Sequence, residues 1–358
     1  MAPQAGFFSH GFLQCFQSKV LSFLQWAKIA RSHGDKIPLF VNMDETSMKL
    51  NFGKQKGLLV RKHALPPGKK HRKEQVSSSD SKANVSFLAF LTHDTEIQPK
   101  LPQVILGNKR KLTLKIMKEL ALHQPANFRV WREESSWNNH CIMRKLISLL
   151  ATCLKDYKAT HQIILVLDVA SCHRHTSIYA LASRLGVRLL FVPSKLTYLL
   201  QPADTHLFSK LKASLRKRWR ELLVESEAGT VSYEVWLSAF FGVARQILNS
   251  TRWQPAFHAA GLLDEQRLSH RVMQEAGWEV LPAIPVEILS DSQVKTVFPK
   301  KSVVRKASLF SWCLPKATAK AKTTIVCAPP ETSAASSTSL EGPISSRTRL
   351  KTKTTAPS

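Results

Sequence analysis

Two short apolar runs, each followed by an aspartate, constrain the fold of this chain most strongly. Residues 39–43 precede Asp44, and the fully apolar residues 163–167 precede Asp168. Runs of this length are typical of buried strands, and strands that are apolar throughout belong to sheets covered by helices on both faces. We therefore predict an α/β protein whose sheet carries two carboxylates at one edge.

The remaining strand and helix candidates indicate a mixed sheet. Closely spaced strand candidates predict a meander of antiparallel pairs over residues 38–43, 57–62, 84–92 and 102–107. Further along, helix and strand alternate over residues 142–157, 163–167, 176–185 and 187–192. Such an order predicts a right-handed parallel crossover, so the sheet combines antiparallel and parallel pairs.

Composition divides the chain into four regions. Residues 1–36 predict a helical segment, although the lack of acids in residues 1–34 also weakly resembles an organelle transit peptide. The apolar face of that helix holds Val20, Phe23, Leu24, Ala27 and Ala30. Residues 37–225 form the sheet domain, and residues 226–290 form a helical extension. Residues 291–358 are rich in Lys, Ser, Thr, Ala and Pro, which predicts a disordered basic tail.

The charge of the chain points to a polyanionic partner. It has 358 residues with 52 Lys and Arg against 25 Asp and Glu, a net charge of +27. Neutralising phosphates releases counterions, so we expect contact with nucleic acid, although a membrane surface or solubility alone could also use the charge. No apolar run is long enough to span a bilayer. Six cysteines without a CxxC pair indicate a reduced, intracellular chain.

Asp204, which opens a predicted basic helix after Pro202, supplies a third acid. Carboxylate ligands without His or Cys favour Mg²⁺ or Mn²⁺ over zinc. Two such ions can activate the attacking oxygen, clamp a phosphodiester and stabilise its leaving oxygen. Each acid also has a plainer interpretation: Asp204 as a helix cap, Asp168 bonded to the following turn, and Asp44 in a turn with Thr46.

Three motifs in order carry a family resemblance. Residues 42–46 read Asn-Met-Asp-Glu-Thr, residues 167–173 read Leu-Asp-Val-Ala-Ser-Cys-His, and residues 192–204 end in Leu-Leu-Gln-Pro-Ala-Asp. Together they resemble the signatures of the DDE superfamily endonuclease domain, the pogo/Tigger/jerky type of transposase. That type lies within the mariner superfamily and is related to centromere protein B. The resemblance covers about residues 20–225, and the 35 residues between the second and third acids are a gap typical of the family.

The resemblance implies an RNase H-like fold with Asp44, Asp168 and Asp204 as the catalytic, metal-binding triad. Asp44 would bridge two Mg²⁺ or Mn²⁺ ions, and Asp168 and Asp204 would each complete one. His173 falls where the family commonly has a histidine that could orient a metal ligand or a phosphate. Glu45 could act as an outer acid. The plainer interpretations are a helix-start or packing role for His173 and an exposed turn position for Glu45.

The chain departs from the family pattern at three points. Val169 follows the second acid where Asn is common, and Ala203 precedes the third where Leu is common. Neither change removes a metal ligand. Complete transposases of the family carry helix-turn-helix domains ahead of the nuclease, whereas 43 residues precede Asp44 here. We therefore expect that this chain does not recognise transposon ends through such domains.

Two groups of cations are the leading candidates for phosphate contact, although any single lysine can simply be solvated. The predicted DNA-binding residues are Lys69, Lys70, Arg72, Lys73, Lys210, Lys212, Arg216, Lys217, Arg218 and Arg220. Lys109, Arg110 and Lys111 form a smaller group. The eight tryptophans, Trp137 among them, could stack on unpaired bases, but core packing is the default expectation for them.

The leading interpretation is a nuclear, transposase-derived DNA endonuclease domain that hydrolyses phosphodiesters and could also transfer strands. One alternative is a domesticated or decayed transposase that binds DNA without turnover. A second is an interaction protein that uses the sheet as a scaffold. Since related transposases act as dimers or larger assemblies, a homo-oligomer is also expected, and a membrane is not.

Overall fold

The computed structural model describes residues 10–32, 34–49, 84–226 and 231–284. Six strands form one sheet: β1 (Ile37–Lys49), β2 (Asn84–Thr92), β3 (Gln103–Asn108), β4 (Phe128–Glu133), β5 (His161–Leu167) and β6 (Arg188–Phe191). Their order across the sheet is β4-β3-β2-β1-β5-β6. β1 pairs with β2, and β2 with β3, antiparallel. β5 lies parallel to both β1 and β6, and β4 lies parallel to β3.

The helices described are α1 (His10–Ser32), α2 (Leu114–Ala121), α3 (His140–Cys153), α4 (Thr176–Arg184), α5 (Thr197–Leu200), α6 (Phe208–Glu225), α7 (Tyr233–Ser250), α8 (Gln254–Ala259) and α9 (His270–Glu275). A π-helical segment, Ala203–Leu207, runs directly into α6. Because an antiparallel β1-β2-β3 meander continues into the parallel strands β5 and β6, the sheet is RNase H-like and the predicted fold class is confirmed.

Helices cover the sheet with apolar side chains. Phe87 of β2 stacks on Phe128 of β4 with ring centroids 6.4 Å apart, and Phe240 of α7 meets Phe87 edge-on at 5.0 Å. Trp219 of α6 and Trp236 of α7 pack perpendicular to each other at 5.2 Å. Aromatic pairs of this geometry stabilise a core beyond the area they bury. Through Trp236 and Phe240, α7 links α6 to the sheet.

The predicted apolar face of α1 is confirmed, because Val20, Phe23, Leu24, Ala27 and Ala30 are all buried. α1 lies against β1 and β6. At its end, the Arg31 guanidinium donates hydrogen bonds to the carbonyls of Gly261 and Leu262, at 3.1 and 2.9 Å, and pairs with Glu265. Burial is the main reason that the pKa of Arg31 falls, while Glu265 opposes this.

Gly261 shows why this junction needs a glycine. Its φ of +70° lies in the left-handed region. A Cβ at this position would come within 2.2 Å of a methyl carbon of Leu24 in α1. The close approach lets the turn after α8 pack directly on α1, so residues from the two ends of the described chain share one core.

Several sequence predictions need correction. Strand β4 and helix α2 were not predicted, and β1 continues to Lys49 instead of ending at residue 43. The predicted strand 57–62 and the predicted tail lie outside the described residues, and the four domain boundaries stay predictions. No helix within the described ranges is long and apolar enough to cross a membrane. No disulfide joins the four described cysteines, Cys15, Cys141, Cys153 and Cys172.

Candidate active site

Asp44 lies inside β1, not at the end of a strand as predicted. The parallel pairing of β1 with β5 ends at Asn42 opposite Val166, and β1 continues beyond it with β2 as its partner. Continuing the parallel register by two residues brings Asp44 opposite Asp168. The two predicted acids therefore lie side by side where the parallel pairing stops. The alternative of a turn formed with Thr46 is wrong, because Thr46 is a buried residue of the same strand.

Asp168 follows the last residue of β5 and is fixed by two hydrogen bonds to its Oδ1 atom. The backbone N–H of Ala170 donates one at 3.1 Å, and His173 Nδ1 donates the other at 2.5 Å. The plain interpretation of Asp168 as an acid bonded to its own turn is thus correct, but it does not use Oδ2. That second carboxylate oxygen is the atom with which Asp168 could meet a cation.

His173 is buried and forms an ion pair with Asp168. Burial is the largest single effect and would lower the pKa of His173, but hydrogen bonds to Asp168 and Cys172 and the negative charge of Asp168 together raise it to about 10. Burial would likewise raise the pKa of Asp168, yet the hydrogen bond to His173, the positive charge of His173 and the hydrogen bond from the Ala170 N–H together bring that pKa below the ordinary value. The pair is therefore imidazolium and carboxylate at neutral pH. His173 thus holds Asp168 by one carboxylate oxygen.

Asn138 completes this network from the loop before α3. Its side-chain nitrogen Nδ2 lies 3.4 Å from His173 Nε2, while its oxygen Oδ1 is buried without a hydrogen-bond partner. A protonated His173 has a hydrogen to donate from Nε2. Turning the amide by half a rotation gives Oδ1 that donor and satisfies both groups. Asn138 therefore supports His173 from the side opposite Asp168.

Asp204 lies in the π-helical segment and is exposed. It is not the helix cap considered above, because no side chain caps this segment and the residue at the cap position is Pro202. The segment is fixed from the sheet instead. Asn42 Oδ1 accepts a hydrogen bond from the backbone N–H of Ala203 at 2.8 Å, and Asn42 Nδ2 donates to the Val166 carbonyl at 3.1 Å. Fully buried Asn42 thus ties β1, β5 and the backbone next to Asp204 together.

The three acids are close enough to repel one another. Burial raises the pKa of Asp44 well above its usual range, and the negative charges of Asp204 and Asp168 raise it further. A hydrogen bond from the backbone N–H of Glu45, 2.8 Å from Asp44 Oδ1, opposes this shift. Within the part of the chain that the structure describes, no group of three or more His, Cys, Asp or Glu side chains is arranged so that it could hold a metal ion. The acids converge without forming a closed coordination group.

Glu45 is a half-buried strand residue, so its assignment to an exposed turn is wrong. Burial raises its pKa, and hydrogen bonds from the Ser86 hydroxyl and the backbone N–H of Asn138 oppose the shift. The charges of His173 and Asp168 also act on it. Glu45 therefore lies beside the network of Asp168, His173 and Asn138.

Sequence reasoning missed Asn42 and Asn138 as functional residues. Asn42 carried a signal, because an amide inside an otherwise apolar strand must find hydrogen-bond partners when it is buried. Asn138 carried none, since its contact with His173 spans 35 residues. The loop residues Lys69, Lys70, Arg72 and Lys73 lie outside the described residues.

The six cations of α6 separate onto two flanks of the helix. Lys212, Arg216 and Arg220 recur every four residues, so they form one row, which we call the cationic row. None of the ion pairs between described residues includes a member of this row. The row is thus a line of uncompensated positive charge on the helix that continues from Asp204.

The other flank of α6 is partly neutralised. Lys210, Lys217 and Arg218 line an open groove of about 630 Å³ between α6 and α7. Arg218 is bound there to Glu221 at 3.1 Å and to Glu225 at 2.9 Å. Lys210 lies over the ring of Trp253, 5.7 Å from its centroid. On this flank Glu221 and Glu225 would repel an anion, whereas the cationic row has no carboxylate partner among the described residues.

One family model matches this chain. The family model of the DDE superfamily endonuclease matches residues 70–249, half of the chain, and this segment includes Asp168 and Asp204 but begins after Asp44. A comparison with curated proteins found no match.

Solved structures of Mos1 transposase resemble the chain at low sequence identity. The Mos1 transposase paired-end complex with left transposon end is 13% identical with a TM-score of 0.38, over 73% of this chain and 66% of that one. The catalytic domain of Mos1 mariner transposase is 12% identical with a TM-score of 0.33, over 73% and 98%. The Mos1 paired end complex with Mg is 13% identical with a TM-score of 0.36, over 73% and 66%. Since the family model spans half of its length, the chain belongs to the DDE superfamily endonucleases.

Proposed function

We propose that this domain hydrolyses DNA phosphodiesters with divalent metal ions held by Asp44, Asp168 and Asp204. The observation that carries the proposal is the convergence of three carboxylates from β1, the end of β5 and the π-helical segment. Burial raises the pKa of Asp44, and the negative charges of Asp204 and Asp168 raise it further. Such a concentration of negative charge is costly unless a cation offsets it.

The donor set fits Mg²⁺ or Mn²⁺. All three proposed ligands are carboxylates, and hard divalent cations prefer oxygen. The charges of both other acids act on Asp44, which supports the proposal that Asp44 would help to hold both ions while Asp168 and Asp204 would each help to hold one. When bound, two such ions activate the attacking oxygen and stabilise the charge that develops on the phosphate and the leaving oxygen.

The chain's own residues supply the geometry. His173 holds Asp168 Oδ1, which leaves Oδ2 for coordination. Asn42 holds the backbone next to Asp204 at the height of the β1–β5 pair. The buried strands keep Asp44 and Asp168 in fixed register. Positioning of this kind is what metal-assisted phosphoryl transfer requires of a protein.

We further propose that the cationic row holds the DNA backbone. The row is free of carboxylate partners among the described residues, and it lies on the helix that begins at the π-helical segment carrying Asp204. Phosphates bound along it would therefore lead toward the acids. Lys69, Lys70, Arg72 and Lys73 are proposed as additional contacts on the basis of sequence alone.

Plasmid nicking separates this function from DNA binding without turnover. Purified protein is incubated with supercoiled plasmid and Mg²⁺ or Mn²⁺, and the wild type is compared with Asp168→Ala. We expect the wild type to nick the plasmid and the variant to remain inactive while still binding DNA. Salt-sensitive binding without nicking by the wild type would favour the non-catalytic alternative. Loss of DNA retention at about 0.1 M salt would favour an interaction protein, because several phosphate contacts should still hold there.

Strand transfer, nuclear location and self-association extend the proposal. Transfer requires a DNA 3′-hydroxyl in place of water, and joining of a labelled 3′-end to plasmid would detect it. Nuclear location is supported by the basic composition of residues 291–358, and a fluorescent fusion with and without that segment tests it. Sedimentation with and without DNA tests whether the chain forms a homo-oligomer.

A further inference from the structure

Trp137 is a large aromatic side chain that the fold leaves in solvent. It is 72% exposed. Of the other tryptophans in the described residues, Trp26, Trp219, Trp236 and Trp253 are buried, and Trp131 and Trp278 are partly buried. The default expectation of core packing therefore holds for these six and is wrong for Trp137. An exposed indole does not gain the free energy that burial of its apolar surface would provide. A binding partner that covers the ring would provide that free energy.

The loop that carries Trp137 is fixed on both sides. The Trp137 backbone N–H donates to Ser135 Oγ at 3.1 Å. Next in the chain, the Asn138 side chain lies against His173, and its backbone N–H donates to Glu45. Asn139 Oδ1 then caps α3, accepting from the N–H groups of Cys141 and Ile142 at 2.9 and 3.0 Å. Trp137 is therefore held one residue away from the network that orients Asp168.

Positive charge lies next to this loop. The backbone N–H of Lys109 donates to the Glu133 carbonyl at 2.9 Å, which joins the β3–α2 turn to the strand that leads to Trp137. Lys109 is bound to Glu134. Arg110 and Lys111 are exposed, and neither takes part in an ion pair between described residues. The turn that carries Arg110 and Lys111 is thus joined to the strand before Trp137, where Glu134 meets the charges of Lys109 and Arg110.

We propose that Trp137 stacks on an unpaired nucleobase of DNA next to the three acids. This inference rests on the proposed function, because it takes DNA as the substrate. Paired bases in a duplex cover their faces with neighbouring pairs, so only a base outside the stack can offer a face to an indole. Arg110 and Lys111 would neutralise the phosphates that flank such a base. The combination of an exposed ring and nearby cations is the surface that single-stranded nucleic acid recognises.

The test compares two labelled DNA probes in EDTA, so that cleavage contributes nothing to the signal. One probe is a fully paired duplex, and the other has the same length with two unpaired nucleotides at its centre. Affinities are measured by fluorescence anisotropy. We expect the wild type to prefer the probe with unpaired bases and Trp137→Ala to lose about 5- to 150-fold in affinity for that probe alone. Trp137→Phe should retain most of the preference, because a phenyl ring can still stack.

Leu114→Ala is the matched control, since Leu114 is another large apolar side chain that is mostly exposed. It should leave both affinities unchanged. Equal affinity of the wild type for the two probes, or an undiminished preference in Trp137→Ala, would overturn the inference. Failure of the proposed function looks different, because the wild type would then neither nick plasmid with Mg²⁺ or Mn²⁺ nor bind the paired duplex in a salt-sensitive way.

Discussion

Asn42 is the residue on which the position of Asp204 depends most directly. We predict that Asn42→Ala lowers the free energy of unfolding by about 1–3 kcal/mol, because it leaves the Ala203 N–H without its acceptor in a buried site. It should also reduce plasmid nicking, since the backbone beside Asp204 loses its tie to β1. Urea unfolding and nicking rates measure the two effects.

Asn127→Ala is the control for this prediction. Asn127 also donates from its side chain to a backbone carbonyl, that of Leu101 at 3.1 Å, but it precedes β4 at the other end of the sheet order. It should cost stability without a comparable loss of nicking. If the two variants nicked equally well at a temperature where both are folded, Asn42 would have no positioning role.

Asp44 makes the stability of the metal-free protein depend on pH. Burial and the neighbouring acids raise its pKa in the folded state above the ordinary value of about 4. The stability linked to its proton is therefore complete below about pH 4 and is lost as the pH rises through the folded pKa. We predict that Asp44→Asn in EDTA melts at a higher temperature than the wild type at pH 7, and that the difference shrinks toward pH 4.

Thermal melts at several pH values check this prediction, with and without Mg²⁺. The amide oxygen of the introduced asparagine can still accept the hydrogen bond from the Glu45 N–H, so the substitution changes charge more than shape. Added Mg²⁺ should stabilise the wild type and have little effect on Asp44→Asn. A wild type that is equally stable or more stable at pH 7 in EDTA would show that the acids do not repel one another as described.

At the scale of elements, α6 presents two flanks that should behave differently toward DNA. Replacing Lys212, Arg216 and Arg220 by Ala should reduce the slope of log K against log salt by about 0.9 for each lost phosphate contact on a duplex. The charge-matched control replaces Lys210, Lys217 and Arg218, which share their flank with Glu221 and Glu225. Fluorescence anisotropy from about 50 to about 300 mM salt measures both slopes.

We expect the control to change the slope by less than about 0.9, the amount that corresponds to one lost phosphate contact. Equal slopes for the two triple variants would mean that DNA does not distinguish the flanks of α6, and a larger change in the control would place the backbone in the groove between α6 and α7. Both outcomes would contradict the role proposed for the cationic row.

Some elements could be predicted from sequence and others could not, for physical reasons. Strand β2 and the crossover β5-α4-β6 were predicted because their apolar runs are continuous and a glycine, Gly186, ends the helix between them. Strand β4 was missed because its six residues, 128–133, mix arginines with apolar side chains. The full length of β1 was missed because Glu45, Thr46 and Ser47 resemble a turn locally. They are held as a strand by pairing with β2, and that contact is distant in sequence.

The site was predictable to a similar degree. The family resemblance indicated all three acids and His173, although Asp44 lies inside β1 and Asp204 lies in a π-helical segment. Asn138 could not be found, because its partner His173 comes from another loop. The separation of the α6 cations onto two flanks follows from helical spacing, but only the structure shows which flank is neutralised by Glu221 and Glu225.

At the scale of the whole molecule, we expect the surplus of positive charge to bind DNA through residues 295–358 as well as through α6. Residues 295–358 contribute twelve Lys and Arg against two Glu. We predict that removing them lowers DNA affinity and the salt dependence of binding while the melting transition is preserved, because the described core lies before residue 285. Thermal melts and anisotropy measure the two effects. A collapsed melting transition after this truncation would contradict the prediction.

The central claim is that three carboxylates from distant parts of the chain share divalent ions, and calorimetric titration with Mn²⁺ tests it most directly. The wild type is compared with a triple variant in which Asp44, Asp168 and Asp204 are each replaced by Asn, and with Asp264→Asn as a control at a distant acid. The account predicts that the wild type and the control bind Mn²⁺ alike and that the triple variant loses the binding. Unchanged Mn²⁺ binding in a folded triple variant would contradict it.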